Sequence, residues 1–148
     1  MALTEDILKS ITSALASSLD EVFIEDVLKR LDSFGYEVKE SDSWMIGFAM
    51  QKVSNTVQNE CNTSDIPVGL EKIAVDMAAG EFLLGKKQTG QLEIEGLDLD
   101  GVISSIKEGD TSVNFATGTS DEEKVTSLIN YLINNGKGEF ICYRKMRW

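Results

Sequence analysis

Between Val68 and Leu84 the sequence is apolar nearly all the way round a helix. Leu70, Ile73, Ala74, Met77 and Ala78 line one side, while Val75, Ala79, Phe82 and Leu83 line another. A helix with no face to offer water has to be buried. Ala74, Ala78, Ala79 and Gly80 keep its surface narrow, so neighbouring helices can approach closely. Pro67 stands where the first turn of a helix accepts proline, and Lys86, Lys87 and Gly90 mark the exit. The chain must therefore supply other helices to wrap this one.

It does so on both sides. Thr4 to Leu19 carries Leu8, Ile11, Leu15 and Leu19 at helical spacing behind a Thr cap. Asp20 can cap a second helix with the stripe Ile24, Val27, Leu28 and Leu31, closed at Gly35. Asp42 or Ser43 opens a third, whose stripe of Ile46, Ala49, Met50, Val53 and Val57 is read as widened by Trp44 and Phe48 before it fades near Glu60. Ser120 and Glu123 have capping-box spacing ahead of Val125, Leu128, Ile129 and Leu132, and Asn135-Gly136 closes that helix. Val102–Ile106 and Ser112–Phe115 have strand-like composition around Lys107-Glu108-Gly109-Asp110, which predicts a β-hairpin. The expected fold is mainly α: a small helical bundle around a buried central helix, with a protruding β-hairpin and a basic, aromatic C-terminal tail. At 148 residues it is one domain. Its parts are an additional N-terminal helix (1–20), a helical core (21–88), the hairpin (102–115), and a C-terminal helix and tail (120–148).

Several chemistries drop out. The chain has no histidine, which removes His-based catalysis and His metal sites. Its two cysteines, Cys61 and Cys142, form no CxxC motif and are expected as free thiols in a reducing compartment. No run of eighteen apolar residues is present, and Glu5 and Asp6 stand where a signal peptide needs cations, so no membrane partner and a cytoplasmic setting are expected. Around Asp98-Leu99-Asp100-Gly101, the calcium-loop register puts Gly96 and Lys107 at positions that need oxygen ligands. Gly85-Lys86-Lys87 lacks the glycine spacing and Lys-Ser/Thr pair of a phosphate loop. Asp121-Glu122-Glu123 fit the first turn of a helix, where acids favour its dipole, better than a metal cluster. Asp76 and Glu81 interrupt the apolar central helix and are read as solvated or paired with a cation. No catalytic residue, metal or cofactor is expected, and the chain is not expected to be an enzyme.

Charge is distributed unevenly. Residues 1–136 hold 10 basic and 24 acidic side chains, a net of −14; residues 137–148 hold four basic against one acidic, a net of +3. Such a body is a poor ligand for duplex DNA, whose affinity comes from neutralised phosphates. The tail gathers Phe140, Tyr143, Arg144, Lys145, Arg147 and Trp148.

Ile66-Pro67-Val68-Gly69-Leu70 running into Val75-Asp76-Met77-Ala78-Ala79-Gly80-Glu81-Phe82-Leu83, the stretch Val102 to Val113, and the ending Tyr143-Arg144-Lys145-Met146-Arg147-Trp148 together resemble the head–tail connector (adaptor) proteins of tailed bacteriophages and prophages. The likeness covers roughly residues 22–148; the N-terminal helix is less typical of that family. The resemblance implies a structural virion protein, made in the host cytoplasm. It would form a ring, commonly of twelve copies, beneath the portal protein, extend the DNA channel without binding DNA specifically, and receive the stopper or tail-completion protein. On that reading Ile103, Ile106, Lys107, Val113 and Phe115 of the hairpin, with Tyr143, Arg144, Arg147 and Trp148 of the tail, are the candidate portal or subunit contacts. Interface hot spots favour Trp, Tyr and Arg. The alternative for the tail is packing onto its own bundle. The alternatives for the whole chain are an acidic regulator or DNA mimic that binds a basic partner, and a small carboxylate-dependent enzyme.

Overall fold

In a computed structural model the chain is described over residues 21–92, 97 and 120–146. Four helices of three turns or more carry that part: α1 (Glu21–Ser33), α2 (Ser43–Cys61), α3 (Glu71–Gln88) and α4 (Asp121–Asn134). A single-turn helix, α5 (Phe140–Tyr143), follows. Short 3-10 turns at Glu40–Asp42, Val68–Leu70 and Lys137–Glu139 lead into α2, α3 and α5.

The central element is α3, which packs against α1, α2 and α4. Ala74, Val75, Met77, Ala78, Ala79, Gly80, Phe82 and Leu83 are all buried, so burial runs round most of its circumference. The small residues matter at the crossing with α4. A Cβ added at Gly80 would stand 2.9 Å from both Leu132 Cβ and Ile133 Cγ1, closer than packed carbons come. Stripes on the other helices close over α3: Ile24, Val27, Leu28 and Leu31 from α1, Ile46, Met50, Val53 and Val57 from α2, and Val125, Leu128, Ile129 and Leu132 from α4. Phe82, with no exposed surface, contributes about 1.5–3 kcal/mol by leaving water.

Helix ends follow local chemistry. Gly35 takes a positive φ of 83° after α1, and Asn62 takes 55° after α2. The Ser120 hydroxyl accepts a hydrogen bond from the Glu123 N–H at 3.3 Å, and three acids occupy the first turn of α4.

The expected fold, mainly α with a protruding β-hairpin, is corrected. The described residues are helical, with no strand among them. Two short β-branched runs are a weak strand signal, and the core of the described residues is built from helices and their connecting turns. The segment assigned to a hairpin, 102–115, lies outside the described residues, as do the N-terminal helix over 1–20 and most of 93–100.

A second correction concerns α2. Trp44 and Phe48, read as widening the buried stripe, are 61% and 51% exposed. The stripe centred on Ile46 faces α3, and at 100° per residue Trp44 and Phe48 each project about 160° away from Ile46.

Candidate functional site

The polar groups that a catalytic reading would need are engaged with one another. Asp76 accepts from Arg30 Nε at 2.7 Å, and Glu81 pairs with Lys52 at 3.2 Å, so the two acids that interrupt the apolar run of the central helix have cationic partners from neighbouring helices. Burial pushes the Asp76 carboxyl above its ordinary value, and Arg30 opposes the rise. Among the described residues no three His, Cys, Asp or Glu side chains gather as metal ligands, and no helix is long and apolar enough to cross a membrane.

One polar cluster is deeply buried. Asp42, 3% exposed, accepts from the Tyr36 hydroxyl (2.9 Å), the Lys39 N–H (3.1 Å) and Lys86 Nζ (2.8 Å). Lys86 also donates to Gln91 Oε1 at 3.2 Å. Burial alone would raise the Asp42 carboxyl; the donors from Lys86, Lys39 and Tyr36 outweigh it and hold it below the ordinary value. These groups line a cleft of about 580 Å³ with Leu92 and Leu97. The Asp42–Lys86 ion pair is spent internally, tying the last turns of α3 to the connection before α2. Lys86, met in the sequence as a phosphate-loop fragment, is thus a structural cation within a helix.

The far end of α2 is held by the tail. Arg144 Nε donates to the Glu60 carbonyl at 2.8 Å and its Nη2 reaches the Glu60 carboxylate at 3.3 Å. The Lys145 N–H donates to the Cys61 carbonyl at 2.8 Å, and Asn62 Nδ2 donates to the Lys145 carbonyl at 3.0 Å. The tail thereby satisfies carbonyls that the last turn of α2 leaves without partners. Cys61 is buried and its Sγ reaches the Phe140 carbonyl at 3.7 Å, while Cys142 is exposed; both thiols are free. Burial raises the Cys61 thiol above its ordinary value. Tyr143 lies over Gly69, where an added Cβ would overlap its hydroxyl oxygen.

No family model matches the chain, and no curated protein or solved structure matches it. Function has to be argued from this surface.

Of the nine candidate contact residues, Tyr143 and Arg144 are described. The structure brings them together at the C-terminal end of α2, where the segment 140–146 lies on its own bundle. Arg144 is engaged there, and Tyr143 stays 38% exposed. Ile103, Ile106, Lys107, Val113, Phe115, Arg147 and Trp148 lie outside the described residues. Around Tyr143 the chain also exposes Ile141 (70%) and Met146 (73%), and Val68 (84%) stands beside Gly69. At the other end of α2, Trp44 and Phe48 stack with ring centroids 5.3 Å apart. Sequence reading missed this pair because residue type pointed inward; its angular position on the helix was the signal that pointed outward.

Proposed function

We propose that this chain is a structural, non-enzymatic subunit of a phage particle: a connector that assembles as a ring beneath the portal protein, joins the DNA-filled head to the tail, and lets DNA pass without specific binding. Its setting is the head–tail junction of the virion after assembly in the host cytoplasm. Portal protein and a stopper or tail-completion protein are its partners. The likeness at residues 66–83 and 143–148 supports this reading.

The structural observation that carries it is the pair of exposed apolar surfaces at opposite ends of α2. A closed ring requires each copy to present two different surfaces, one for each neighbour. Trp44 stacked on Phe48 is one such surface, and exposed apolar side chains at Val68, Ile141, Tyr143 and Met146 lie toward the other end of α2. The strongly acidic body suits a channel component that must not grip DNA.

The test is the mass of the purified chain, alone and mixed with the portal protein of its own genome, by native mass spectrometry. A ring of many copies, alone or on the portal, is the expected result. A chain that stays monomeric and ignores the portal overturns the reading and favours an acidic regulator with a basic partner.

A further inference from the structure

The tail reaches its place on the bundle through a short, exposed turn. Gly136 is buried against the Ile73 side chain, which an added Cβ would overlap. Phe140, 4% exposed, is the next fixed point. Between them Lys137, Gly138 and Glu139 are all exposed, and a Cβ built at Gly138 would meet nothing within 4 Å. They form one 3-10 turn, in which the Glu139 N–H donates to the Gly136 carbonyl at 3.1 Å. Two anchored ends joined by a loose turn with a glycine in it make a hinge. Wound as a 3-10 turn, the four steps from Gly136 to Phe140 cover about 8 Å. Drawn straight, they cover about 14 Å.

Beyond the hinge the tail is an arm with a specific seat. The element that α5 packs on is α2. Arg144 donates to the Glu60 carbonyl and meets its carboxylate, the Lys145 N–H donates to the Cys61 carbonyl, and Asn62 donates to the Lys145 carbonyl. Tyr143 covers Gly69, the one residue type that leaves room for it. Arg144 and Glu60 are each about half exposed, at 51% and 54%, so lifting the arm strands no buried charge.

Arm and seat are two different surfaces of one chain, and their fit is visible in the structure. A second copy carries the same arm and the same seat, so the contacts are identical whichever copy supplies the arm. Exchange of an identical element is a low-cost route to association, and short hinges favour it. Copies held side by side present each arm to a neighbouring seat at high effective concentration.

We infer that in the assembled ring the arm 140–146 of each copy swings about Lys137–Glu139 and occupies the seat at the C-terminal end of α2 in the next copy. Each copy gives an arm to one neighbour and receives one from the other, a head-to-tail contact that closes into a ring. This inference rests on the ring reading above and names the element that links its subunits.

The Arg144–Glu60 contact lets the exchange be read directly. Arg144→Lys places an amine beside the Glu60 carboxylate, and a carbodiimide joins the two as an amide while taking up the water lost. Light and heavy-isotope Arg144→Lys chains are mixed as monomers in equal amounts, assembled with the portal protein of the same genome, cross-linked and digested. In the assembled fraction, cross-links joining a light to a heavy chain are expected to be as frequent as those within one isotope. In the monomer fraction, only same-isotope cross-links are expected. A second variant, deletion of Gly138, shortens the hinge so that the arm no longer reaches its own seat. Sedimentation velocity is expected to show it associating more strongly than the wild type, with its helices checked by circular dichroism.

Assembled chains that carry same-isotope cross-links alone overturn the exchange and leave the ring reading standing. So does a folded deletion variant that stays monomeric. A wild type that assembles neither alone nor with portal protein overturns both.

Discussion

The two ends of α2 are fixed by different physics. At the N-terminal end a carboxylate with almost no solvent exposure is met by a lysine, a tyrosine hydroxyl and a backbone N–H, all directional and all buried. At the C-terminal end the tail lies across the last turn through exposed or backbone hydrogen bonds, with Phe140 the one deeply buried side chain among its described residues. The first end cannot open without uncovering a charge, whereas the second can loosen while the bundle stays intact. Stability is therefore concentrated at the end bearing the Trp44–Phe48 stack, and adjustability at the end bearing Tyr143.

The largest effect that tests this contrast is expected from Lys86→Met. Lys86 is 12% and Asp42 3% exposed at the side chain, so losing the ammonium strands a buried carboxylate. A cost of about 3–5 kcal/mol is expected from urea unfolding, as for other broken buried pairs. Arg144→Ala removes a pair whose side chains are both about half exposed, and less than about 1 kcal/mol is expected. Equal losses at the two ends would break the comparison.

A smaller effect, in pH, sharpens it. Because the Asp42 carboxyl is held below its ordinary value in the folded chain, the unfolded chain binds protons more readily at that group as acid is added. Its stabilising contribution is full above the unfolded value, about 3.9, and is lost as the pH falls through the lower folded value. Asp42→Asn is therefore expected to be less stable than the wild type at neutral pH, with the gap narrowing below about pH 4. Asp76 works in the opposite sense. Its carboxyl is raised, chiefly by burial, so the folded chain takes up its proton first and the wild type gains on Asp76→Asn as acid is added. Urea midpoints measured against pH should give the two variants slopes of opposite sign; slopes of the same sign would remove the electrostatic account of the Asp42 cluster.

What could be read in advance was whatever is local. The stripes of α1, α2, α3 and α4, the glycine after α1 and the Ser120 cap depend on residues within a turn or two of one another, and the structure places each as spaced. The cluster at Asp42 joins residues 44 positions apart, and the strap at Glu60 joins residues 84 apart; no periodicity marks either. Trp44 and Phe48 fall between these cases. Their positions on the helical wheel set them opposite Ile46, but aromatic character suggested the core, and character was given more weight than angle. The expected strands fall outside the described residues, which are helical with no strand among them; β-branched composition over four or five residues is only a preference for a half-buried surface. The candidate contacts were visible only as chemistry, an aromatic and basic ending. That Arg144 serves α2 while Tyr143 stays at the surface depended on where the chain turned back.

The smallest expected effect bears on the tail. A Cβ at Gly69 would overlap the hydroxyl and ring edge of Tyr143, the far end of a side chain that can swing outward. Gly69→Ala should therefore leave the urea midpoint within about 1 kcal/mol of the wild type while displacing Tyr143. The displaced tail should then be cut faster by trypsin at Arg144 and Lys145. Faster cutting at an unchanged midpoint means the 140–146 segment opens on its own, below the free energy of global unfolding. A midpoint loss of more than about 2 kcal/mol would instead make the tail part of the core's cooperative unit. The two ends of α2 would then share one stability, and the contrast between a rigid end and an adjustable one would be lost.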